Sequence, residues 1–76
     1  MNKQRRKDIQ EIMDRIEAIR SDLEMVRDDE QFYMDSIPEN LMGSERYEKA
    51  EEAVSNLEGA CDNLDEALEQ LEAAME

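Results

Sequence analysis

The sequence contains no histidine, no tryptophan, a single cysteine and only three aromatic residues. One cysteine and no histidine exclude zinc sites built from Cys and His, and they exclude the Glu-x-x-His motif of di-iron sites in helical bundles. The acidic run Asp28-Asp29-Glu30 lacks the spacing and the glycine of a calcium-binding loop. We therefore expect no metal and no cofactor.

Long apolar runs are also missing, since none exceeds three residues. The sequence therefore predicts neither a transmembrane span nor the core of a signal peptide. The lone Cys61 cannot form an internal disulfide, and its place on an apolar stripe indicates a buried thiol in a reducing compartment. Together these features predict a cytoplasmic protein without a membrane partner.

The chain is short and strongly acidic. It has 76 residues, of which 39% are hydrophobic and 41% are charged, and its net charge is −13. A chain of this size is one domain at most, and it buries only ~60% of the surface that its unfolded form exposes, so it needs help to be stable. The negative charge argues against free nucleic acid and anionic membranes as direct partners.

Helix breakers are few, and two of the three lie just past the middle of the chain. Pro38 ends the first helical pattern because it lacks an amide donor, and Gly43 precedes Ser44, a suitable N-cap. Residues on both sides follow a helical period. The sequence predicts an all-α protein with one helical-hairpin domain at 1–76, built from a helix at 3–36, a turn at 37–43 and a helix at 44–75.

Apolar residues recur in steps of three and four on both sides of the turn, which is the heptad pattern of packed helices. The first stripe consists of Ile9, Ile12, Ile16, Ile19, Leu23, Val26, Glu30, Tyr33 and Ile37. The second consists of Tyr47, Ala50, Val54, Leu57, Cys61, Leu64, Leu68, Leu71 and Met75. Because the connection is short, the sequence predicts an antiparallel, heptad-packed two-helix hairpin.

The stripes also predict a register, in which Ile19 faces Cys61 and the polar Glu30 faces the small Ala50. Opposite charges then meet along one flank of the seam, as expected for an antiparallel pair. The predicted ion pairs are Arg27 with Glu51, Arg20 with Glu58 and Arg6 with Glu72. Exposed pairs of this kind stabilise little, so their main effect is to select the register.

A second apolar face is predicted beside the stripes. It consists of the alanines Ala53, Ala60, Ala67 and Ala74, spaced by seven on the second helix, and of Ala18, Met25 and Phe32 on the first. Alanine is also a good helix former at exposed sites, but a chain too small to be stable alone favours a packing surface. We expect this face to join two hairpins into a dimeric four-helix bundle or to bind a protein partner.

Charge is distributed unevenly along the chain. The basic segment near the start, with no acid among residues 1–7, consists of Lys3, Arg5, Arg6 and Lys7. It is either a solubilised helix end or a docking arm. The acidic face of the second helix consists of Glu48, Glu51, Glu52, Glu58, Asp62, Asp65, Glu66, Glu69 and Glu72. It is either a solvated helix surface or a functional one.

The features that catalysis needs are missing as well. The four serines have no histidine to activate them, and a general acid needs a concave, partly dry site, whereas two long helices offer at most a groove. We therefore expect neither an enzyme nor a small-molecule substrate. The sequence favours a small acidic interaction module that self-associates as a homodimer and binds a protein partner.

The alternative is an inhibitor that imitates nucleic acid and blocks a DNA- or RNA-binding enzyme. The second helix carries eleven acids between Glu45 and Glu76, or one per ~4.4 Å at a rise of ~1.5 Å per residue. Two such helices in a dimer approach half that spacing, which is near the ~1.7 Å per charge of duplex DNA. Acidic helix surfaces are common, however, and few of them imitate DNA.

Several segments carry a family resemblance. They are Asn2-Lys3, Arg5-Arg6-Lys7, Ile37-Pro38-Glu39-Asn40-Leu41, Ser44-Glu45-Arg46, Glu51-Glu52-Ala53 and Asn56-Leu57-Glu58. Over nearly the whole chain they resemble a family of short acidic helical proteins from Firmicutes and their phages. The resemblance implies no activity, ligand or catalytic residue. By analogy, its phage association raises the expectation of a protein that binds and inhibits a host nucleic-acid enzyme.

Overall fold

A computed structural model describes residues 1–76 as two long helices joined by a short connection. Helix α1 spans Lys3–Asp35, a 3-10 turn covers Glu39–Leu41, and helix α2 spans Glu45–Ala74. These bounds lie within one residue of those expected from the sequence. The prediction of an all-α fold with two helices in contact is confirmed.

Side chains at the helix ends explain these bounds. The Asn2 carboxamide oxygen accepts a hydrogen bond from the Arg5 amide at 2.8 Å, and the Ser44 hydroxyl accepts one from the Tyr47 amide at 3.3 Å. Both satisfy amides that have no partner within the helix. The Ser44 cap was predicted, whereas the Asn2 cap was not. At the end of α1 the Ser36 hydroxyl donates to the Phe32 carbonyl at 2.7 Å, two residues before Pro38.

Two ion pairs between the helices fix their relative direction. Arg20 pairs with Asp65, and the later Arg27 pairs with the earlier Glu58. A residue further along α1 therefore meets a residue further back on α2, so the helices are antiparallel. The hairpin is a narrow rod with extents of 59 × 15 × 12 Å.

The core of the rod is small. Only Met13, Ile37, Ala50, Val54 and Cys61 are buried, and most other seam residues remain half-exposed. Cys61 is a free thiol at 6% exposure, as its place on the stripe predicted. A hairpin with five buried side chains has little of the apolar burial that stabilises folded domains.

The stripe of α1 that faces α2 differs from the predicted one. Ile9, Ile16 and Leu23 are half-buried in the seam as expected. The four intervening positions were predicted wrongly, because Ile12, Ile19, Val26 and Tyr33 are 40–53% exposed. The next residue in each case, namely Met13, Arg20, Arg27 and Met34, is buried or half-buried instead. Helix α1 is thus turned by roughly 50° from the predicted orientation, since neighbouring helical positions lie ~100° apart.

Arginine can take a seam position because its long methylene stem is apolar while its head reaches water. The side chains of Arg20 and Arg27 are 30% and 32% exposed. The small Cys61 of α2 lines the same hollow as both arginines, which leaves space for their stems. The seam therefore excludes the β-branched Ile19 and Val26 and accommodates the arginines.

Candidate interaction surfaces

The displaced apolar residues of α1 form one continuous line along the hairpin. We call Ile12, Ile19, Val26 and Tyr33 the flank stripe, and they are exposed by 40, 53, 52 and 43% respectively. With a spacing of seven residues the line is ~32 Å long. Apolar side chains exposed in a row, and not singly, indicate a contact surface.

The alanine series of α2, defined as Ala53, Ala60, Ala67 and Ala74, lies on the same side of the hairpin as the flank stripe. Tyr33 and Arg46 line one shallow hollow between the helices, and Arg46 stands seven residues before Ala53 on the same helical line. The interhelical ion pairs lie on the other side. The first three alanines are half-buried and Ala74 is exposed. Together the flank stripe and the alanine series make one surface, the apolar face.

The predicted companions of the alanines lie elsewhere. Ala18, Met25 and Phe32, here called the outer patch, each precede a flank-stripe residue by one position, or ~100° around the helix. They point away from α2, and Met25 and Phe32 are 64% and 75% exposed. Two acidic residues, Asp22 and Asp29, lie between the outer patch and the flank stripe. The structure therefore separates the predicted interface residues into two surfaces.

The opposite flank is held by two arginines. Nε of Arg20 donates to Oδ1 of Asp65 at 2.7 Å and Nη2 donates to Oδ2 at 3.1 Å, which is the two-pronged geometry that guanidinium and carboxylate groups favour. Arg20 also contacts Glu24 at 2.7 Å. The hydrogen bond to Asp65, assisted by its negative charge, raises the pKa of Arg20.

Arg27 forms a second interhelical ion pair seven residues later, with both of its donors on one oxygen of Glu58. Its Nε donates to Oε1 of Glu58 at 3.1 Å, and its Nη1 donates to Oδ1 of Asp28 at 3.0 Å. The hydrogen bond to Glu58, and then that to Asp28, raises the pKa of Arg27. A raised arginine pKa adds stability at every pH below the unfolded value, and this contribution is lost only under strongly alkaline conditions. Both arginines therefore stay charged at any working pH.

The predicted partners of these arginines were wrong by one heptad. Arg27 pairs with Glu58, not with Glu51, and Arg20 pairs with Asp65, not with Glu58. The reason is side-chain direction, because helical side chains lean toward the N-terminus of their own helix. In an antiparallel pair that lean carries an arginine of α1 toward the C-terminal end of α2. The predicted third pair is also absent, since Arg6 makes no ion pair.

Near the turn, the predicted juxtaposition of Glu30 and Ala50 is present. Both residues line the shallow hollow that also contains Arg46 and Lys49. Ala50 is only 3% exposed and Glu30 is half-buried. Glu30 makes no ion pair within 4.0 Å, and Lys49 pairs instead with Glu45 on its own helix at 3.0 Å.

The two charged segments differ in how their charges are used. On the acidic face of α2, Glu58 and Asp65 are paired with arginines, while the other seven residues are exposed and make no ion pair. The basic segment of α1 is exposed and none of its four cations makes an ion pair. It occupies the start of a helix, where the dipole disfavours positive charge. Its charges are therefore unsatisfied within one hairpin.

Comparison with known proteins does not assign the chain to a family. No protein-family model matches the sequence, and neither a curated protein nor a solved structure is significantly similar to it. The resemblance to the family from Firmicutes and their phages therefore stays a prediction. No group of three or more acidic or thiol side chains is arranged to hold a metal ion. Neither helix has a stretch that is long and apolar enough to span a bilayer.

Proposed function

We propose that this protein is a non-enzymatic, cytoplasmic interaction module that self-associates through its apolar face and binds a protein partner through its outer patch. One observation supports the proposal most directly. A hairpin with five buried side chains exposes six large apolar residues on α1 beyond its first turn. Solvent exposure of this much apolar surface is unfavourable unless another chain covers it.

The width of the apolar pattern supports self-association. Helix α1 carries apolar residues at the shared seam positions, on the flank stripe and at Met13 and Met34, and α2 adds the alanine series to its own stripe. A pattern of three positions in seven is typical of helices with two packed neighbours, whereas a two-stranded seam needs two in seven. We infer that two hairpins form a four-helix bundle, as the sequence predicts.

The outer patch remains accessible in such a bundle because it points away from α2, roughly perpendicular to the apolar face. Phe32, at 75% exposure, and Met25, at 64%, lie seven residues apart on one helical line. A neighbouring aromatic and a flexible thioether are typical of surfaces that bind other proteins. This patch is our proposed site for the protein partner.

Mimicry of nucleic acid is the less favoured function. Two of the nine acidic-face residues, Glu58 and Asp65, are neutralised by arginines from α1, which weakens the phosphate-like charge on that flank. No contact in the hairpin favours mimicry over a solvated surface.

Quantitative affinity capture from a bacterial lysate tests the proposed partner site. The wild-type protein is compared with Phe32→Ser and with the control Glu17→Ser, an exposed polar site on the same helix. We expect at least one protein that stays bound in high salt, is lost with Phe32→Ser and is kept with the control. Partners that are lost steeply with salt and displaced by duplex DNA would support mimicry instead. Equal capture by Phe32→Ser would contradict the assignment of the outer patch.

A further inference from the structure

We infer that the apolar face is covered by a second copy of this chain that lies antiparallel to the first, with the two turns at opposite ends of the dimer. This inference rests on the proposed function, because it specifies the geometry of the self-association. In this arrangement α1 packs against α1 of the second copy. The basic segment of each copy then lies beside the acidic turn end of the other.

The flank stripe matches itself when one copy is reversed. Ile12 then faces Tyr33 of the second copy, and Ile19 faces Val26 of the second copy, because the spacing of seven residues is constant. A twofold axis passes near Asp22. A twofold contact of this kind uses the same surface on both copies and closes after two chains. The alanine series of the two copies meet by the same symmetry.

The apolar face is large enough for a specific dimer. The hairpin is 15 Å wide, and a flank stripe of ~32 Å on that width covers ~480 Å² in projection. Two copies therefore bury ~1,000 Å² of surface in total, without counting the extra area of protruding side chains. This total reaches the lower limit for specific protein–protein interfaces.

In this geometry, cations that make no ion pair within one hairpin lie opposite acidic residues of the second copy. The basic segment lies opposite the turn of the second copy, which carries Glu39, and Arg15, also without an ion pair in the hairpin, lies opposite Asp29. One contact is unfavourable, because Asp22 approaches its own symmetry mate.

The reverse orientation, with both turns at one end, concentrates like charge. Residues 28–49, which make up the turn end of the hairpin, contain seven acids against Arg46 and Lys49, so that orientation brings together two ends that each carry a net charge of −5. The antiparallel orientation separates the two turn ends by ~50 Å of helix, which is several Debye lengths at physiological salt. In the reverse orientation the basic segment would instead meet the C-terminal part of α2 of the second copy, with which it makes no ion pair inside one hairpin.

Pulsed dipolar spectroscopy on spin-labelled protein tests the orientation. A nitroxide is attached at Asn40→Cys in the turn, in a Cys61→Ala background, and a label at Ser21→Cys near the middle of α1 serves as the control. The antiparallel dimer should give ~50 Å between the two turn labels and a much shorter distance between the control labels. A turn-to-turn distance below ~25 Å, about two to three interaxial spacings, would overturn the inference but leave self-association standing. No dipolar signal at either site, with a monomer mass, would instead overturn the proposed self-association.

Charge removal tests whether the basic segment meets acidic residues of the second copy, and the spin-label distances then decide the orientation. Replacing Lys3, Arg5, Arg6 and Lys7 with Gln removes charges that the helix dipole disfavours, so the monomer helix itself should not be destabilised. We expect the dimer dissociation constant to rise at least tenfold at low salt and to approach the wild-type value near 1 M salt, where the Debye length is ~3 Å. An unchanged or lower dissociation constant at low salt would contradict the inference.

Discussion

Removal of the flank stripe should dissociate the proposed dimer. Ile19 and Val26 are 53% and 52% exposed in the hairpin, so each has about half of its side chain still to bury. Full burial of such a side chain is worth ~1.5–3 kcal/mol, and half of it is worth ~0.8–1.5 kcal/mol. Two residues on two copies thus contribute ~3–6 kcal/mol to association.

The double variant Ile19→Ser and Val26→Ser should therefore raise the dimer dissociation constant by ~10²–10⁴-fold. Sedimentation equilibrium or light scattering over a concentration series measures it, with the wild type expected at twice the 8.9 kDa chain mass. The matched control is Met25→Ser with Phe32→Ser, which removes apolar side chains of similar size from the outer patch. Circular dichroism establishes that both variants remain helical. A dissociation constant equal to that of the wild type, or an equal loss in the control, would refute the assignment of the flank stripe.

Three further outcomes follow from contacts inside the hairpin. Val54→Ala should lower the free energy of unfolding of the hairpin by ~1–2.5 kcal/mol, because Val54 is 6% exposed and the lost methyl groups leave a cavity. Urea unfolding at fixed protein concentration measures this change. A loss below ~0.5 kcal/mol would place Val54 outside the core. Gly59→Ala should raise the free energy of unfolding by ~0.5–1 kcal/mol, because alanine is the better helix former. The φ angle of Gly59 is not positive, and an added Cβ meets no atom within 4 Å. Any loss of stability would contradict this geometry. Arg20→Glu should lower the melting temperature and a second change, Asp65→Arg, should restore it, whereas rescue by Glu58→Arg would favour the register expected from the sequence.

The helices and their ends were predictable because their signals are local. Pro38 cannot continue a helix, Ser44 can cap one, and apolar residues spaced by three and four mark the faces of both helices. Antiparallel packing follows from the short connection. These inferences need no knowledge of how the two helices are rotated against each other.

The rotation of α1 could not be predicted because its sequence offers two seams. Ile9, Ile16 and Leu23 belong to both seams in the sequence pattern. One seam continues through the flank stripe, and the other continues through the line of Arg20 and Arg27. Hydropathy ranks isoleucine above arginine, but it ignores the apolar arginine stem and the carboxylates within its reach.

Spacing alone also left the ion pairs undetermined. Two arginines seven residues apart match any two acids seven residues apart on α2, and Glu51, Glu58 and Asp65 supply two such pairs. The lean of helical side chains toward the N-terminus, which distinguishes them, is a three-dimensional property. It is also the signal that sequence reasoning could have used.

Because the core of the hairpin is small, the rate at which a cell degrades the protein should depend on whether its apolar face is covered. With only five buried side chains, most backbone amides open to solvent at low cost, and a protease can cut the opened chain. Any binder that covers the apolar face raises the free energy of opening by RT ln(1 + [L]/Kd). Bound copies are then degraded slowly and unbound copies quickly, so the steady-state level of the protein follows the concentration of whatever covers that face.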